Sequence, residues 1–175
     1  MKKLSVKTIT FTGLLTALHI IFARFISIPV GQLLRISISG VPVILCGLWL
    51  GPVAGGLCGL IGDLIGCAIN GYAPNPFITA AATLVGVLPA LFKGFLQGAA
   101  PGAGRFLRFL LVILLTRLLT SVLITTIGLS TMYHMAFWPT LLTRLPSTTA
   151  VTVVDALLCE LLYSRVHFEY FMQEG

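Results

Sequence analysis

Apolar residues come in long runs that do not alternate with period two, so the pattern predicts helices rather than the strands of a barrel. Six runs stand out: 6–26, Gly40–Leu50, 53–69, 77–96, 105–130 and 146–163. A helix that crosses a bilayer needs about 20 residues. Most of these runs suffice. The second does not, and is expected to be tilted or extended by the loop before it. The breaks are equally informative. Residues 27–39 carry Pro29, Gly31, Gln32 and Arg35, a loop too long for a tight turn and too polar for lipid. Gly51-Pro52 ends the second run. The prolines of 70–76 forbid helix continuation. A Gly/Ala/Pro stretch, 97–104, separates the fourth and fifth runs. A loop with Tyr133, His134, Trp138, Pro139 and Arg144 precedes the sixth.

Composition agrees. Apolar residues are 57% of the 175 and charged residues 9%, against about a quarter charged in an ordinary soluble domain. So few charges could not cover a water-facing surface. In lipid every backbone amide must be paired internally, which helices achieve. The expectation is an all-α integral membrane protein of six transmembrane helices, forming one domain over 1–175. Met1-Lys2-Lys3 looks like a signal-peptide start, but no small-x-small cleavage site follows, so the first run is expected to be kept as a helix. Cys46, Cys58, Cys67 and Cys159 lie in apolar runs without a CxxC pair, and read as small core residues. His19, His134 and His167 are scattered, so no metal site is expected. The net charge of +6 is spread among hydrophobic runs rather than gathered on a polar face, which argues against nucleic acid.

Charge at the span ends sets orientation. One side carries Lys2, Lys3, Lys7, Lys93, Arg105, Arg108 and Arg165, the other Arg24, Arg35 and Arg144. The richer side is expected to be cytoplasmic, with both termini there. Three arginines then lie outside, where topology does not require them.

Three constellations invite chemistry. Gly47, Gly51, Gly55 and Gly59 recur every four residues, followed by Gly62 and Gly66. Small residues so spaced let helix backbones meet closely. They suit internal packing; Gly13 and Ala17 on the first helix suit internal packing or another membrane subunit. Next are charges at membrane depth: Asp63, Arg117, Asp155 and Glu160. Each such group costs about 2.5–3.5 kcal/mol on insertion scales unless paired or functional. Counting 1.5 Å per residue from opposite ends places Arg117 and Asp155 at similar depth, which predicts a structural ion pair. Asp63 has no evident partner and is open to a structural or a cavity role. Last is the outward set: Arg24, Gln32, Arg35, Tyr72, Asn75, Tyr133, His134, Trp138 and Arg144. An interfacial belt accounts for Trp138 and Tyr72. The arginines also suit a carboxylate ligand, which a guanidinium binds bidentately, with aromatics beside a flat ring. Walker A, Rossmann, HExxH and GxSxG sequences are absent. The chain also looks small for an alternating-access transporter of two inverted halves.

Taken together, Leu34-Arg35-Ile36-Ser37 with Val41-Pro42, Gly51-Pro52-Val53-Ala54-Gly55-Gly56, Ile61-Gly62-Asp63-Leu64-Ile65-Gly66 and Pro74-Asn75-Pro76-Phe77-Ile78-Thr79 resemble the substrate-binding S components of energy-coupling factor (ECF) vitamin transporters. The likeness runs nearly the whole chain. Gly13 and Ala17 lie where that family has an AxxxA motif. Within the family the chain is most similar to folate S components, through Ala23-Arg24-Phe25, Ser27-Ile28-Pro29, Thr126, Tyr133 and Arg144; Asn75-Pro76-Phe77 departs from the commoner Pro-Gly-Phe-Thr pattern. The resemblance implies a six-helix fold in a bacterial plasma membrane, and an outward pocket closed by the loops after helices one, three and five. It implies partners too: a transmembrane coupling subunit and two cytoplasmic ATPases, with the S component toppling to deliver its vitamin inward. The chain itself would need no cofactor and perform no catalysis. Folate would lie with its pterin against aromatics and its amino-pyrimidine edge on Asp63 or Asn75. Its glutamate tail would meet Arg35, Arg144 or Arg24. Three alternatives stay open: another vitamin such as pantothenate, a membrane-embedded enzyme using Asp63, Asp155 and Glu160, or a purely structural membrane subunit.

Overall fold

The structure, a computed structural model, describes residues 5–26, 28–30, 34–71, 73–98 and 102–165, with side chains left aside at 28–30, 34–36, 97 and 133. Helix α1 is Val6–Phe25. Strands β1 (Ile28–Val30) and β2 (Leu34–Ile36) pair antiparallel, with Pro29 opposite Arg35. Helices α2 (Gly40–Leu50), α3 (Pro52–Asn70) and α4 (Pro76–Leu91) follow, then the short α5 (Lys93–Gln97). Helix α6 (Ala103–Arg117) runs through a π-helical segment, Leu118–Ile124, into α7 (Thr125–Tyr133). Helix α8 is Phe137–Arg165.

Local chemistry explains the boundaries. Gly51 turns the chain at φ 99° and Pro52 opens α3, where proline's missing N–H is harmless. Gly71, left-handed at φ 68°, closes the same helix. Asn75 caps α4 by accepting hydrogen bonds from the amides of Phe77 (2.9 Å) and Ile78 (3.4 Å).

Among the described residues, α1, α3, the continuous Ala103–Met132 helix and α8 are long and apolar enough to cross a bilayer; α2 and α4 are apolar but shorter. Leu14, Leu64, Leu111 and Leu161 stand exposed along the long helices. Apolar surface is worth about 25 cal/mol per Å² when removed from water, and a bilayer removes it.

The structure corrects several expected boundaries. The fourth span is α4 alone, with α5 set apart from it. The loop expected around Trp138, Pro139 and Arg144 is helical, so α8 begins before Pro146 and carries that proline internally. The loop expected to extend the second span instead holds the β1–β2 ribbon, and α2 stays at 11 residues.

That short helix is the centre of the bundle. Val41, Val43, Ile44, Leu45, Cys46 and Leu48 are all at most 3% exposed, and α2 touches α1, α3, α4 and α8. On one side the packing is backbone to backbone. A Cβ added at Gly47 would overlap the carbonyl oxygen of Gly86, and one at Gly86 would overlap that of Gly55. The glycine ladder is therefore a seam between α2, α3 and α4.

Candidate ligand-binding site

The other half of the ladder does something different. A Cβ at Gly62 would strike the imidazole of His19, and one at Gly66 the guanidinium of Arg24. These two glycines leave room on α3 for the two polar side chains of α1. Both side chains border a cavity of about 320 Å³ at the ribbon end of the bundle, together with Asp63, Arg117, Arg144 and Ser121. A second lobe of about 220 Å³ continues past Arg117, Ser121 and Arg144 to Thr125, Val43 and Ile78.

Each polar group is held in place. His19 donates from Nδ1 to the Ser39 carbonyl at 2.7 Å. A carbonyl only accepts, so Nδ1 carries the hydrogen and Nε2 is left as an acceptor in the neutral ring. Ser37 donates to the Phe22 carbonyl (3.1 Å) and accepts from the Ser39 amide (3.1 Å), tying the residues after β2 to α1. Asp63 Oδ2 accepts from Thr79 Oγ1 at 2.7 Å. Arg117 is ion-paired with Asp155, which is fully buried, and Gly40 makes the space for that pair. Among the described residues, Arg24 and Arg144 have no acid partner of this kind. Arg24 Nε, Arg144 Nη1 and Arg117 Nε are buried without a hydrogen-bond partner. Three arginines and Asp63 border the cavity; with Asp155 counted, three positive charges face two negative ones, a formal +1. A buried donor left unpaired costs about 1–3 kcal/mol, more when charged. The site is thus arranged for an acceptor-rich, anionic group.

The predicted residues divide sharply. Arg24, Asp63 and Arg144 meet at the cavity, as does Arg117, which was expected only as a structural partner. Asn75 does not reach it: besides capping α4, its Nδ2 donates to the Gly128 carbonyl at 3.0 Å, so the side chain ties α4 to α7. Thr126 is buried in α7 away from the cavity, its hydroxyl unpartnered. Trp138 is 70% exposed at the start of α8, edge-on to Phe137 at 5.7 Å, and suits a membrane interface. His134 is exposed and left-handed, at φ 52°. Tyr72, Gln32 and His167 lie outside the described residues, as do the side chains of Arg35 and Tyr133. No aromatic ring but the His19 imidazole borders the cavity among the described residues, so the expected aromatic stack is not found there. His19, Ser121, Ser147 and Thr148 border it without having been singled out. His19 carries no spacing signal in the chain: five residues before Arg24, it would stand about 140° round an ideal α-helix from it.

A second concavity, about 370 Å³ and almost wholly apolar, lies between α1 and α3. Gly13 and Ala17 border it with Ile9, Leu57 and Ile61. A Cβ at Gly13 would touch nothing within 4 Å. The Thr12 and Thr16 hydroxyls bond the carbonyls four residues back (both 2.7 Å), which hides their polarity.

The acidic residues do not converge. Asp63 is bound by Thr79, Asp155 by Arg117, and Glu160 by Arg105 at 3.0 Å.

The described helices thus form an apolar bundle with a cationic cavity at one end. The chain belongs to the family described as ECF-type riboflavin transporter, S component, which matches residues 3–167. It is therefore the S component of a vitamin transporter, a multi-pass membrane protein and not an enzyme. Two solved structures share the fold. One is FolT bound with folic acid: TM-score 0.75, 24% identity, 93% of this chain and 95% of that one covered. The other is the S component for biotin from an ECF-type ABC transporter: TM-score 0.68, 20% identity, 98% of both chains covered. No curated protein sequence matches significantly.

Proposed function

We propose that this S component captures a carboxylate-bearing vitamin, folate first among them, from the outer face of the membrane. The observation that carries the reading is the pair of buried guanidinium nitrogens, Arg24 Nε and Arg144 Nη1, that lack partners beside the cavity. The vitamin's carboxylate completes them, and Asp63 accepts from an N–H-rich ring edge. The fold shared with a folate-bound protein supports the same choice. Both termini lie in the cytoplasm by the charge count, so the ribbon end faces out. The apolar groove at Gly13 and Ala17 receives the transmembrane coupling subunit, which works with two ATPases.

Riboflavin is the second reading, favoured by the family's description. It is uncharged: its carbonyls and hydroxyls can accept from the arginines, but they leave the cationic charge unbalanced. Titration of the purified protein with folate, riboflavin, biotin and pantothenate separates these readings. Folate at 100 times its dissociation constant should raise stability by about 2.7 kcal/mol. Arg144→Gln should weaken folate binding by about 1.5–3 kcal/mol, the worth of a hydrogen bond to a charged group. Tight riboflavin binding that Arg144→Gln leaves unchanged would sink the folate reading.

A further inference from the structure

The helix that carries Arg117 changes its winding immediately after that residue. Over Leu118–Ile124 it is π-helical, and the Thr125 amide bonds the Thr120 carbonyl, five residues back. Such segments are rare and concentrate at functional sites. Here the widened turn has a visible effect on register. Arg117, Ser121 and Thr125, four apart, all border the second lobe of the cavity. On an uninterrupted α-helix those two steps of four would swing the last residue about 80° away from the first. The opposite face keeps the same step, since Leu115, Leu119, Leu123 and Ile127 are all exposed.

Hydroxyls accompany the change. Thr120 Oγ1 donates to the Thr116 carbonyl (2.7 Å) and Thr125 Oγ1 to the Thr120 carbonyl (2.9 Å). Side-chain bonds of this kind compete with the α-helical ladder and bend it. Thr120 is fully buried, packed within a segment that touches α4 and α8, and does not border the cavity.

Building on the capture reading above, we infer that the π segment is the device that turns Arg117, Ser121 and Thr125 together onto the ligand, with Thr120 as its positioning residue. The segment fixes where the Arg117 charge meets the ligand's carboxylate. Straightening it leaves a folded bundle whose polar stripe is out of register.

The test uses the full chain in lipid nanodiscs, with folate and its dicarboxamide as probes, reading affinity by calorimetry and melting temperature in the absence of ligand. Thr120→Val removes the hydroxyl and keeps the shape. It should bind folate about tenfold more weakly at an unchanged melting temperature, in keeping with one displaced charged hydrogen bond. Thr120→Ser should bind within about twofold of the wild type, since it retains the hydroxyl. The loss should fall on folate and spare the uncharged dicarboxamide. Deleting Leu119, on the exposed face, removes one residue from the wide turn and should abolish folate binding; if that variant does not fold, the Thr120 pair decides. Wild-type affinity in Thr120→Val, or an equal loss for both probes, overturns the inference alone. A wild-type chain that binds no carboxylate vitamin overturns it together with the capture reading.

Discussion

The two flanks of α2 are built on opposite principles. Toward α3 and α4 the contacts are glycine against glycine, with carbonyl oxygens where side chains would otherwise stand. Toward α6 and α8 the contacts are made by side chains: Phe109, Val112, Ile113, Ala156 and Cys159 share the core with α2, and Gly40 makes room for the Arg117–Asp155 pair. The first flank gains dispersion contacts and leaves no room. The second is filled by side chains, and the cavity lies past the first residue of α2, bordered from α1, α3 and α4 as well as by Arg117 and Arg144. Backbone packing and side-chain packing are thus assigned to different sides of one short helix, and a change on either side should reveal which job it does.

The largest effect is expected where the polar flank is held. Asp155→Ala strands the Arg117 guanidinium, and losing one partner of a buried pair costs about 3–5 kcal/mol. Thermal unfolding of the purified protein measures it; a drop under 1 kcal/mol would mean that Arg117 reaches water without help. On the glycine flank, Gly86→Ala drives a methyl into the Gly55 backbone. Overpacking of this sort costs about 1–3 kcal/mol, and a double variant with Gly55 changed as well should fall short of the sum. The smallest effect belongs to Glu160→Gln. Its partner Arg105 is 12% exposed and Glu160 22%, close enough to solvent that the pair contributes roughly 0–1 kcal/mol. Ligand affinity should not move in that variant, since neither residue borders the cavity.

Much of this was legible in the chain. Hydropathy alone gives the long helices, because a run of apolar residues has nowhere else to go. Depth counting anticipates the Arg117–Asp155 pair, because an α-helix rises uniformly per residue. The site was legible only in part. Arg24, Asp63 and Arg144 come together because charge is conspicuous against an apolar background. Asn75 reads as a ligand candidate from its outward place, while the structure uses it as a cap, for which Asn followed by Pro at a helix start is a signature. Pro146 reads as a helix start in the chain yet sits inside α8, because a bundle interior tolerates proline within a span. The ribbon and the π segment escaped notice because each depends on hydrogen bonds between particular residues rather than on average polarity. The last two rungs of the glycine ladder, Gly62 and Gly66, could be seen but not interpreted, since only the fold shows that His19 and Arg24 fill the space they leave.

The shortness of α2 has one more consequence. Eleven residues rise about 16 Å, roughly half the hydrocarbon depth of a bilayer. The neighbouring helices run on beyond its first residue, Gly40, so the bundle has a column with its top missing. The cavity lies at that missing top, bordered by Ser37 and Ser39, which join the β1–β2 ribbon to α2. On the capture reading proposed above, a vitamin bound there would occupy the place of an absent stretch of helix and act as a removable plug. The membrane-facing wall can stay fixed while the ribbon and the few side chains around the shaft change what fits.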